Sequence, residues 1–490
     1  SWCFRGEDGL RSPTLYRPGP AHATAARILA VARALFFFDD WALARRDNLT
    51  RRLGQPWWQR EATYEDPTSE TPFSYPTVIY DAQLGRWRMF YLGRQTLPPP
   101  GYRRTEWLLT AESADGLTWE RPDLTDRVPL PERVRPHEVF DSRRFATGGA
   151  IYLDEASRER RFKWLFLERH QPDRPGQRVS RLAYSADGYT WQVDPEVSWH
   201  PGSPDPGIFT FYNANLGIYR TACRPKLGDR RIAFVDTHDW RTWTAPEVIF
   251  HPDALDPPLS EFYGIAILPY EGMYVGILWI FETEPADLHQ QKLEGKVYGQ
   301  LVYSYDGNRF LRSQREPFLG LNEPDEYGAA CIYPSSLILD ADQQMRIYSG
   351  ATKGEHFQAR SLTEPRYAAI TLHTLRKDGF VFLESLAGAG LLTTRWVRVG
   401  QDQLQLNVQA PNGEVRVQLT DPAGTPIPGY TFEECQPFRG DSLAWQPCWR
   451  ERSGLGELVG KPIRIEIRLY HGRLYAIRGE LELLYAQDLR

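Results

Sequence analysis

The sequence lacks the features that mark membrane proteins and nucleic-acid-binding proteins. Its longest apolar run, residues 28–38, is interrupted by Arg33, whereas a membrane span needs roughly 18 to 20 apolar residues. No basic segment precedes that run and no small-residue cleavage site follows it, so we expect no signal peptide there. The net charge of −5 offers no basic surface to a polyanion. These absences predict a protein with neither a membrane nor nucleic acid among its partners.

Cysteine is also scarce, and its spacing does not match a metal site. The five residues are Cys3, Cys223, Cys331, Cys435 and Cys448. An odd count argues for a reducing compartment, which favours a cytoplasmic location and leaves a processed export protein as the alternative. Cys435 and Cys448 are near enough in sequence to pair across a hairpin, but we expect two buried free thiols instead.

The short motifs of several enzyme classes are missing as well. There is no Gly-x-Ser-x-Gly elbow, no Gly-x-x-x-x-Gly-Lys-Ser/Thr loop, no His-Glu-x-x-His and no Cys-x-x-Cys pair. The ten histidines are dispersed along the chain. The chemistry that depends on these motifs therefore has no signal in the sequence.

Aromatic residues, by contrast, are abundant. They make up 13% of the chain, with 16 Trp and 25 Tyr, and they accompany 39 Gly and 38 Pro. This composition suits many short strands joined by tight turns, and exposed rings suit sugar binding by stacking. We expect most of the rings to fill the cores between neighbouring sheets.

A seven-residue motif with an aspartate four residues before an aromatic ring occurs five times. The copies are residues 113–119 (SADGLTW), 185–191 (SADGYTW), 237–243 (THDWRTW), 304–310 (SYDGNRF) and 376–382 (RKDGFVF). Successive copies are 72, 52, 67 and 72 residues apart. A turn motif with this period in strand-rich sequence is typical of propeller blades, so five copies predict five blades.

The motif itself is expected to be structural. An aspartate can accept hydrogen bonds from the backbone of its own turn, and the glycine allows the positive φ that such a turn requires. The pattern resembles the Asp-box turns of sialidases, which are also structural. We therefore expect no catalytic role for Asp115, Asp187, Asp239, Asp306 or Asp378.

The sequence between the motifs divides the chain into three parts. Residues 1–33 carry no blade pattern and are expected to be an N-terminal extension, with a short helix at 23–35. Residues 34–387 alternate strands and turns and are expected to form the five-bladed β-propeller. Residues 388–490 alternate apolar and polar side chains, which predicts an antiparallel β-sandwich. The predicted fold class is therefore all-β.

Two details of the propeller follow from the strand count. The apolar segment 36–38 has no partner in blade one, so we expect it to complete blade five and close the ring. In blade three, the segment 215–221 is expected to be the innermost strand.

Acidic residues precede each predicted innermost strand. In a propeller these strands line a central funnel, and the loops that enter them project into its mouth. The acids are Asp66 and Glu70 for blade one, Asp141 for blade two, Asp205 for blade three, Glu261 for blade four, and Glu323, Asp325 and Glu326 for blade five, with Asp39 and Asp40 ending the closing strand. Converging carboxylates serve glycoside cleavage, one as acid and one as base or nucleophile. For any single position, a solvated loop carboxylate is the alternative interpretation.

Cationic and aromatic side chains accompany these acids. Arg143 and Arg144 follow Asp141, Arg224 and Lys226 follow a strand of blade three, Tyr263 lies two residues after Glu261, and Lys353 and His356 follow the strand pair of blade five. Such groups hold sugar hydroxyls and reduce the repulsion between paired carboxylates. Surface charge is the alternative for each cation.

Several of these segments resemble a known group of proteins. The segments are 35–41 (LFFFDDW), 75–81 (YPTVIYD), 112–122 (ESADGLTWERP) and 262–278 (FYGIAILPYEGMYVGIL), followed by 440–445 (GDSLAW) in the tail. Over roughly residues 33 to 487 the chain resembles bacterial proteins similar to the five-bladed propeller glycosidases of families 32, 43 and 68. The Trp-Met-Asn-Asp-Pro-Asn and Arg-Asp-Pro signatures of family 32 are absent.

The resemblance implies roles for particular residues. Asp40, or its neighbour Asp39, would be the nucleophile or base, Asp141 would orient the sugar and tune the acid, and Glu261 would be the general acid. The residues expected to bind substrate are Asp39, Arg143, Asp205, Arg224, Tyr263, Glu326 and His356.

The leading hypothesis is a glycoside hydrolase that acts on an oligosaccharide or polysaccharide, with furanosides as one option. We expect no cofactor, and a structural Ca²⁺ in the channel is left open. A glycoside phosphorylase is the second hypothesis, in which Arg143, Arg224, Lys353 and His356 would hold phosphate. The third is a non-catalytic glycan-binding propeller. The sequence leaves the oligomeric state open.

Overall fold

The computed structural model describes residues 31–67, 71–94, 106–168, 180–199, 209–225, 227–283, 294–356, 367–450 and 452–489. Within these ranges the chain consists almost entirely of β-strands joined by turns and loops. The predicted all-β class is confirmed. Among the same residues, no helix has the length and apolar character required to traverse a lipid bilayer.

Four strands precede blade one. They are β1 (Val31–Leu35), β2 (Leu43–Asp47), β3 (Thr50–Leu53) and β4 (Trp57–Trp58).

Blades one, two and three are separate antiparallel sheets. Blade one contains β5 (Thr71–Asp81), β6 (Arg86–Arg94) and β7 (Glu106–Ser113). Blade two contains β8 (Phe145–Leu153), β9 (Phe162–Glu168), β10 (Ser180–Ser185) and β11 (Gln192–Trp199). Blade three contains β12 (Thr210–Asn213), β13 (Ile218–Cys223), β14 (Ile232–Thr237) and β15 (Glu247–Phe250).

Blades four and five are joined by a single parallel bridge between Val297 and Cys331. Blade four contains β16 (Ser260–Tyr270), β17 (Met273–Thr283), β18 (Gly295–Ser304) and β19 (Leu311–Arg312). Blade five contains β20 (Cys331–Leu339), β21 (Gln344–Thr352) and β22 (Ala368–Arg376). Its fourth strand is β4, which comes from the N-terminal side of blade one and pairs with β22.

The innermost strands of the five blades form a closed ring. Strand β5 contacts β8, β8 contacts β12, β12 contacts β16, β16 contacts β20, and β20 contacts β5 again. Every innermost strand therefore has another blade on each side, and the ring is closed. This arrangement is the predicted five-bladed propeller.

The remaining strands form one ten-stranded sheet with β1, β2 and β3. They are β23 (Val381–Ser385), β24 (Gly390–Thr394), β25 (Val397–Val399), β26 (Gln405–Thr420), β27 (Phe438–Trp445), β28 (Pro462–Tyr470) and β29 (Gly472–Leu483). Strand β26 pairs with β29 before residue 410 and with β28 after residue 413. The register shift between Ala410 and Val415 marks where β26 passes from one layer to the other. The sheet is therefore folded into the predicted sandwich.

The N-terminal strands differ from the sequence prediction. Strand β1 ends at Leu35 and pairs with β29, and the buried residues Phe36, Phe37 and Phe38 follow it outside any strand. Blade five is therefore closed by β4, and the prediction that 36–38 closes it is wrong. The helix expected at 23–35 lies mostly outside the described residues, and the described part, 31–35, is a strand.

Two further differences concern blade three and the domain bounds. The innermost strand of blade three is β12, and the predicted segment 215–221 belongs mainly to its second strand, β13. The domain boundaries at 33/34 and 387/388 stay a prediction. Strands β2, β3 and β23 lie between these boundaries in sequence, yet they belong with β1 to the C-terminal sheet.

Four of the motif copies form the expected turn. In each, the aspartate Oδ1 accepts hydrogen bonds from the backbone N–H groups two and three residues later, at 2.7–2.9 Å. Gly116, Gly188 and Gly307 adopt φ of 75°, 72° and 69°, while Trp240 takes that position in the third copy at φ 60°. The fifth copy differs, because its side chain binds elsewhere: Tyr270 and Arg478 donate to the Asp378 carboxylate.

Three of these turns are attached to the preceding blade by an arginine. Arg88 of blade one donates to the carbonyl of Asp187, and Arg346 of blade five donates to the carbonyl of Asp115, at 2.5 and 2.6 Å. Arg220 of blade three donates to the carbonyl of Gly307 at 2.9 Å. The motif thus joins neighbouring blades as well as shaping its own turn.

Candidate active site at the propeller mouth

An aromatic cluster fills the centre of the ring and forms the floor of the mouth. Its members come from different parts of the ring and are almost fully buried: Tyr75, Phe209, Tyr263, Trp279 and Tyr333. Tyr75 stacks on Trp279 with ring centroids 5.4 Å apart, and Phe209 meets the same indole edge-on at 5.5 Å. These rings form a continuous buried layer at the centre of the ring. The polar groups described next lie at the end where the innermost strands begin.

Glu261 lies at the start of β16, the innermost strand of blade four. Its carboxylate accepts a hydrogen bond and ion pair from Arg230, and 15% of its side chain is exposed. The Arg230 guanidinium also faces two rings, with its carbon 5.6 Å from the centroid of Tyr263 and 5.1 Å from that of Phe281. The Glu261 carboxyl group is thus held in a mostly buried position by a side chain from a neighbouring blade.

Tyr263 links this carboxylate to blade five. It lies two residues after Glu261 on β16, and its hydroxyl is 2.6 Å from Nε2 of His356. The hydroxyl of Tyr75 donates to that of Tyr263 at 3.4 Å. The backbone N–H of His356 donates to the carbonyl of Gly295 at 3.0 Å, which places the histidine at the same end of blade four as Glu261.

Arg224 belongs to the same group of side chains. Its guanidinium carbon is 5.4 Å from the centroid of the Tyr263 ring. The structure therefore brings together four residues named from the sequence: Glu261, Tyr263, Arg224 and His356. Arg230 is a fifth member that the sequence reasoning did not name.

Asp141 lies in the loop that enters β8, the innermost strand of blade two. Its carboxylate accepts hydrogen bonds from the backbone N–H of Arg143 at 3.0 Å and from Nη2 of the same arginine at 2.8 Å. Arg143 also approaches Glu132 at 3.7 Å. Asp141 and Arg143 are therefore paired with each other, at the end of the ring where the innermost strands begin.

Asp39 and Asp40 lie at the other end of blade four. Tyr303 and Tyr305 donate to the Asp39 carboxylate at 2.7 and 2.9 Å. Tyr303 pairs with Val275, which pairs with Leu268, and Leu268 is seven residues along β16 from Glu261. At about 3.3 Å per residue, this level lies about 23 Å from Glu261.

Asp40 is bound by two arginines at this distant position. Arg46 donates at 3.1 Å, Arg51 also donates, and half of the Asp40 side chain is exposed, 51%. Partial burial raises the pKa of Asp40 and the two guanidinium groups lower it, with a net value below the ordinary 3.8. Cleavage needs paired carboxylates about 5 to 9.5 Å apart. The geometry therefore does not support Asp39 or Asp40 as the nucleophile that partners Glu261.

The other residues predicted to bind substrate do not contact Glu261 within the described part of the chain. Glu326 pairs with Arg60, on the segment that completes blade five, and the described residues show no contact between it and Glu261. Asp205, with Glu70 and Lys226, lies outside the described residues.

Asp66 precedes β5 but is inaccessible to substrate. Its side chain is 0% exposed, and it accepts hydrogen bonds from the Tyr91 hydroxyl at 2.7 Å and pairs with His137 Nε2 at 3.1 Å. It is a structural carboxylate inside blade one.

The described residues do not contain a cluster of side chains that would bind a metal ion. Among the described residues, no group of three or more His, Cys, Asp or Glu side chains is arranged to hold a metal ion. Cys223, Cys331 and Cys435 are buried free thiols and Cys448 is a partly exposed one.

The fold and the site together define a five-bladed propeller whose mouth carries carboxylates, arginines and tyrosines above an aromatic floor. No family model matches the sequence, and no curated protein matches it. Solved structures similar to the chain include an N-acetylgalactosamine deacetylase from F. plautii, at 14% identity over 67% of this chain and 95% of that one, with a TM-score of 0.43.

Two further solved structures have comparable similarity. An endo-arabinase from Bacteroides thetaiotaomicron matches at 13% identity over 63% of this chain and 96% of its own, with a TM-score of 0.39. A Bombyx mori β-fructofuranosidase matches at 12% identity over 95% of this chain and 98% of its own, with a TM-score of 0.40.

Proposed function

We propose that the protein is a glycoside hydrolase that binds its sugar at the propeller mouth. The observation that carries this proposal is the grouping of Glu261, Arg230, Tyr263 and His356 above the aromatic floor. Carboxylates and guanidinium groups hydrogen-bond sugar hydroxyls, and the buried rings beneath them support these polar groups. Binding to a carbohydrate and cleavage at a carboxylate use the same set of residues.

Glu261 is the principal acid in this proposal. In its protonated form, its carboxyl group would turn from Arg230 towards the glycosidic oxygen and donate its proton as the glycosidic bond breaks, while water adds to the anomeric carbon and releases a proton in turn. Tyr263 and His356 would hold the sugar beside it. Arg224 and Arg230 would bind hydroxyl groups and balance the negative charge of the site.

The second carboxylate is assigned to Asp141. Asp141 precedes the innermost strand of blade two, and its side chain is only partly buried. Blade three separates it from Glu261 on blade four. In this role it would orient the sugar and influence the charge state of the acid, with Arg143 fixing its position. Asp40 has no part in the proposal, because it lies at the opposite end of blade four.

The test is a screen of aryl-glycosides and oligosaccharides with the purified protein and with Glu261→Gln. We expect turnover to fall by roughly 10²- to 10⁴-fold in the variant, because general acid catalysis contributes about that much. Glu247→Gln, on the exposed outer strand of blade three, is the matched control and should keep full activity. Hydrolysis at the original rate by Glu261→Gln would sink the proposal.

A glycoside phosphorylase is the second candidate. The observation that favours it is the pair of guanidinium groups beside Tyr263, those of Arg224 and Arg230, since paired arginines also suit phosphate. The same screen with and without inorganic phosphate separates the two reactions. Cleavage that requires phosphate and yields a sugar phosphate would favour the phosphorylase.

A further inference from the structure

A second concave surface lies at the junction between blade five and the sandwich, away from the mouth. We call it the junction groove and define it by Arg52, Trp57, Phe382, Glu384, Arg473 and Tyr475, which line a cavity of about 640 Å³. Pockets that hold small ligands typically measure about 300–1,000 Å³. Gln344 and Arg376, which also line it, pair at the end of β22 opposite to the mouth. The groove is therefore a site distinct from the one around Glu261.

Trp57 gives the groove an accessible aromatic surface. It belongs to β4, the outermost strand of blade five, and 73% of the residue is exposed, whereas the neighbouring Trp58 is partly buried. Its backbone pairs with Thr374, so the strand that carries the indole is fixed to blade five. An exposed indole that lines a concave polar surface is suited to stack on the flat apolar face of a sugar ring.

The facing wall carries more positive than negative charge. Arg52 and Arg473 both approach Glu384, at 3.4 and 3.0 Å, so two guanidinium groups share one carboxylate. About half of each arginine side chain is exposed, while Glu384 is mostly buried. The groove thus keeps an accessible positive charge that an anionic ligand would balance.

The floor of the groove supports Arg473. The rings of Phe382 and Tyr475 lie 5.2 Å apart, and Arg473 packs over Phe382 at 5.1 Å. Because the guanidinium is supported by a buried ring and a carboxylate, it loses less freedom on binding than an arginine on an open surface.

We propose that the junction groove is a second carbohydrate-binding site for an acidic, uronate-bearing sugar chain. A uronate presents both a flat ring face for Trp57 and a carboxylate for Arg52 and Arg473. The site binds and performs no chemistry, and it would keep a long chain attached to the protein while the mouth acts elsewhere. The proposal does not depend on the reaction at the mouth.

The test measures binding by calorimetry, with an oligogalacturonide, a neutral galacto-oligosaccharide of equal length and an acidic peptide as probes. Using the Glu261→Gln protein keeps the sugars intact. We expect the oligogalacturonide to bind more tightly than the other two, and added salt to weaken its binding. Absence of binding, or equal binding of the neutral sugar or of the peptide, would overturn the proposal.

Three variants locate the binding. Trp57→Ala should weaken oligogalacturonide binding by about tenfold through loss of stacking. Arg473→Gln should weaken the binding of the oligogalacturonide and leave any residual binding of the neutral galacto-oligosaccharide unchanged. Tyr212→Ala, an exposed ring on blade three, is the matched control and should bind as the parent does. Unchanged affinity in both Trp57→Ala and Arg473→Gln would show that the probe binds outside the groove.

Discussion

At the scale of single residues, two buried ionisable groups limit the pH range of the fold. Burial raises the pKa of Glu138 to about 7 from an ordinary 4.5, against the opposing hydrogen bond from the Val134 N–H. Burial also lowers the pKa of His373 to about 3 from 6.5. A raised carboxyl pKa means that stability is lost as pH rises from 4.5 to 7, and a lowered histidine pKa means that stability is lost as pH falls below 6.5.

Replacing Glu138 should therefore stabilise the protein above pH 7. Glu138→Gln keeps an oxygen that accepts from the Val134 N–H and removes the charge that burial disfavours. We expect a gain of up to about 3 kcal/mol in the free energy of unfolding at alkaline pH, and almost none below pH 4.5. Urea unfolding across this pH range measures it. Glu159→Gln, an exposed carboxyl, is the control, and a Glu138→Gln curve parallel to the parent at every pH would contradict the argument.

The residues of the mouth show how far sequence reasoning reaches. Glu261 and Tyr263 can be named from the sequence because an acid before an innermost strand is a recognisable position. Arg230 was missed although it lies in the same loop as Arg224, between the second and third strands of blade three. In an antiparallel blade that loop ends at the same mouth as the loop entering the innermost strand. Both loops of every blade are thus places to search for site residues.

At the scale of elements, a second repeat accompanies the aspartate motif. The second strand of four blades carries a buried cation beside a carboxylate: Arg88 with Asp81, Lys163 with Asp154, Arg220 with Asp236, and Arg346 with Asp340. Three of these arginines also hold the motif turn of the next blade. The sequence does not reveal this contact between blades, because an arginine or lysine in a predicted strand is normally assigned to a solvent-exposed face.

Removing one such cation should loosen the ring at a single junction. Arg346 joins blade five to blade one, donating to Asp340 at 2.7 Å and to the carbonyl of Asp115 at 2.6 Å. Arg346→Met leaves the buried Asp340 carboxylate unpaired, so we expect a loss of about 3–5 kcal/mol in unfolding free energy.

The matched comparisons for this variant are a double variant and a surface control. Arg346→Met combined with Asp340→Asn should recover much of the loss, because no unpaired charge then remains buried. Arg241→Met, an exposed arginine of the third motif copy, should cost little. Equal stability of Arg346→Met and Arg241→Met would show that the junction does not depend on the ion pair.

At the scale of the whole molecule, the propeller was predictable and its attachment to the sandwich was not. Five copies of a turn motif number the blades directly. The pairing of β1 with β29, by contrast, joins Leu35 to Ile477 across almost the entire chain, and no local pattern specifies so distant a partner. The fifth motif copy was also misleading, since Asp378 binds Arg478 of the sandwich at 2.8 Å in place of its own turn.

These contacts predict that the propeller and the sandwich fold as one unit. A single apolar core contains Phe37, Phe380 and Leu383 together with Val275 of blade four and Ile477 of β29. Deleting residues 388–490 would expose these side chains and leave β1 and β2 without their partners, β29 and β24. We expect the shortened chain to be insoluble or aggregated, because unpaired strand edges and exposed apolar surface promote association.

Calorimetry of the full chain tests the same idea without a deletion. Joint folding requires one cooperative transition, with a calorimetric enthalpy that matches the van't Hoff value. Asp378→Ala removes the carboxylate that Tyr270, Asn407 and Arg478 share, leaving a largely buried guanidinium without this partner. That variant should unfold at a lower temperature and begin to separate into two transitions. Two transitions in the parent protein, or a soluble and folded 1–387 fragment, would show instead that the propeller is stable alone.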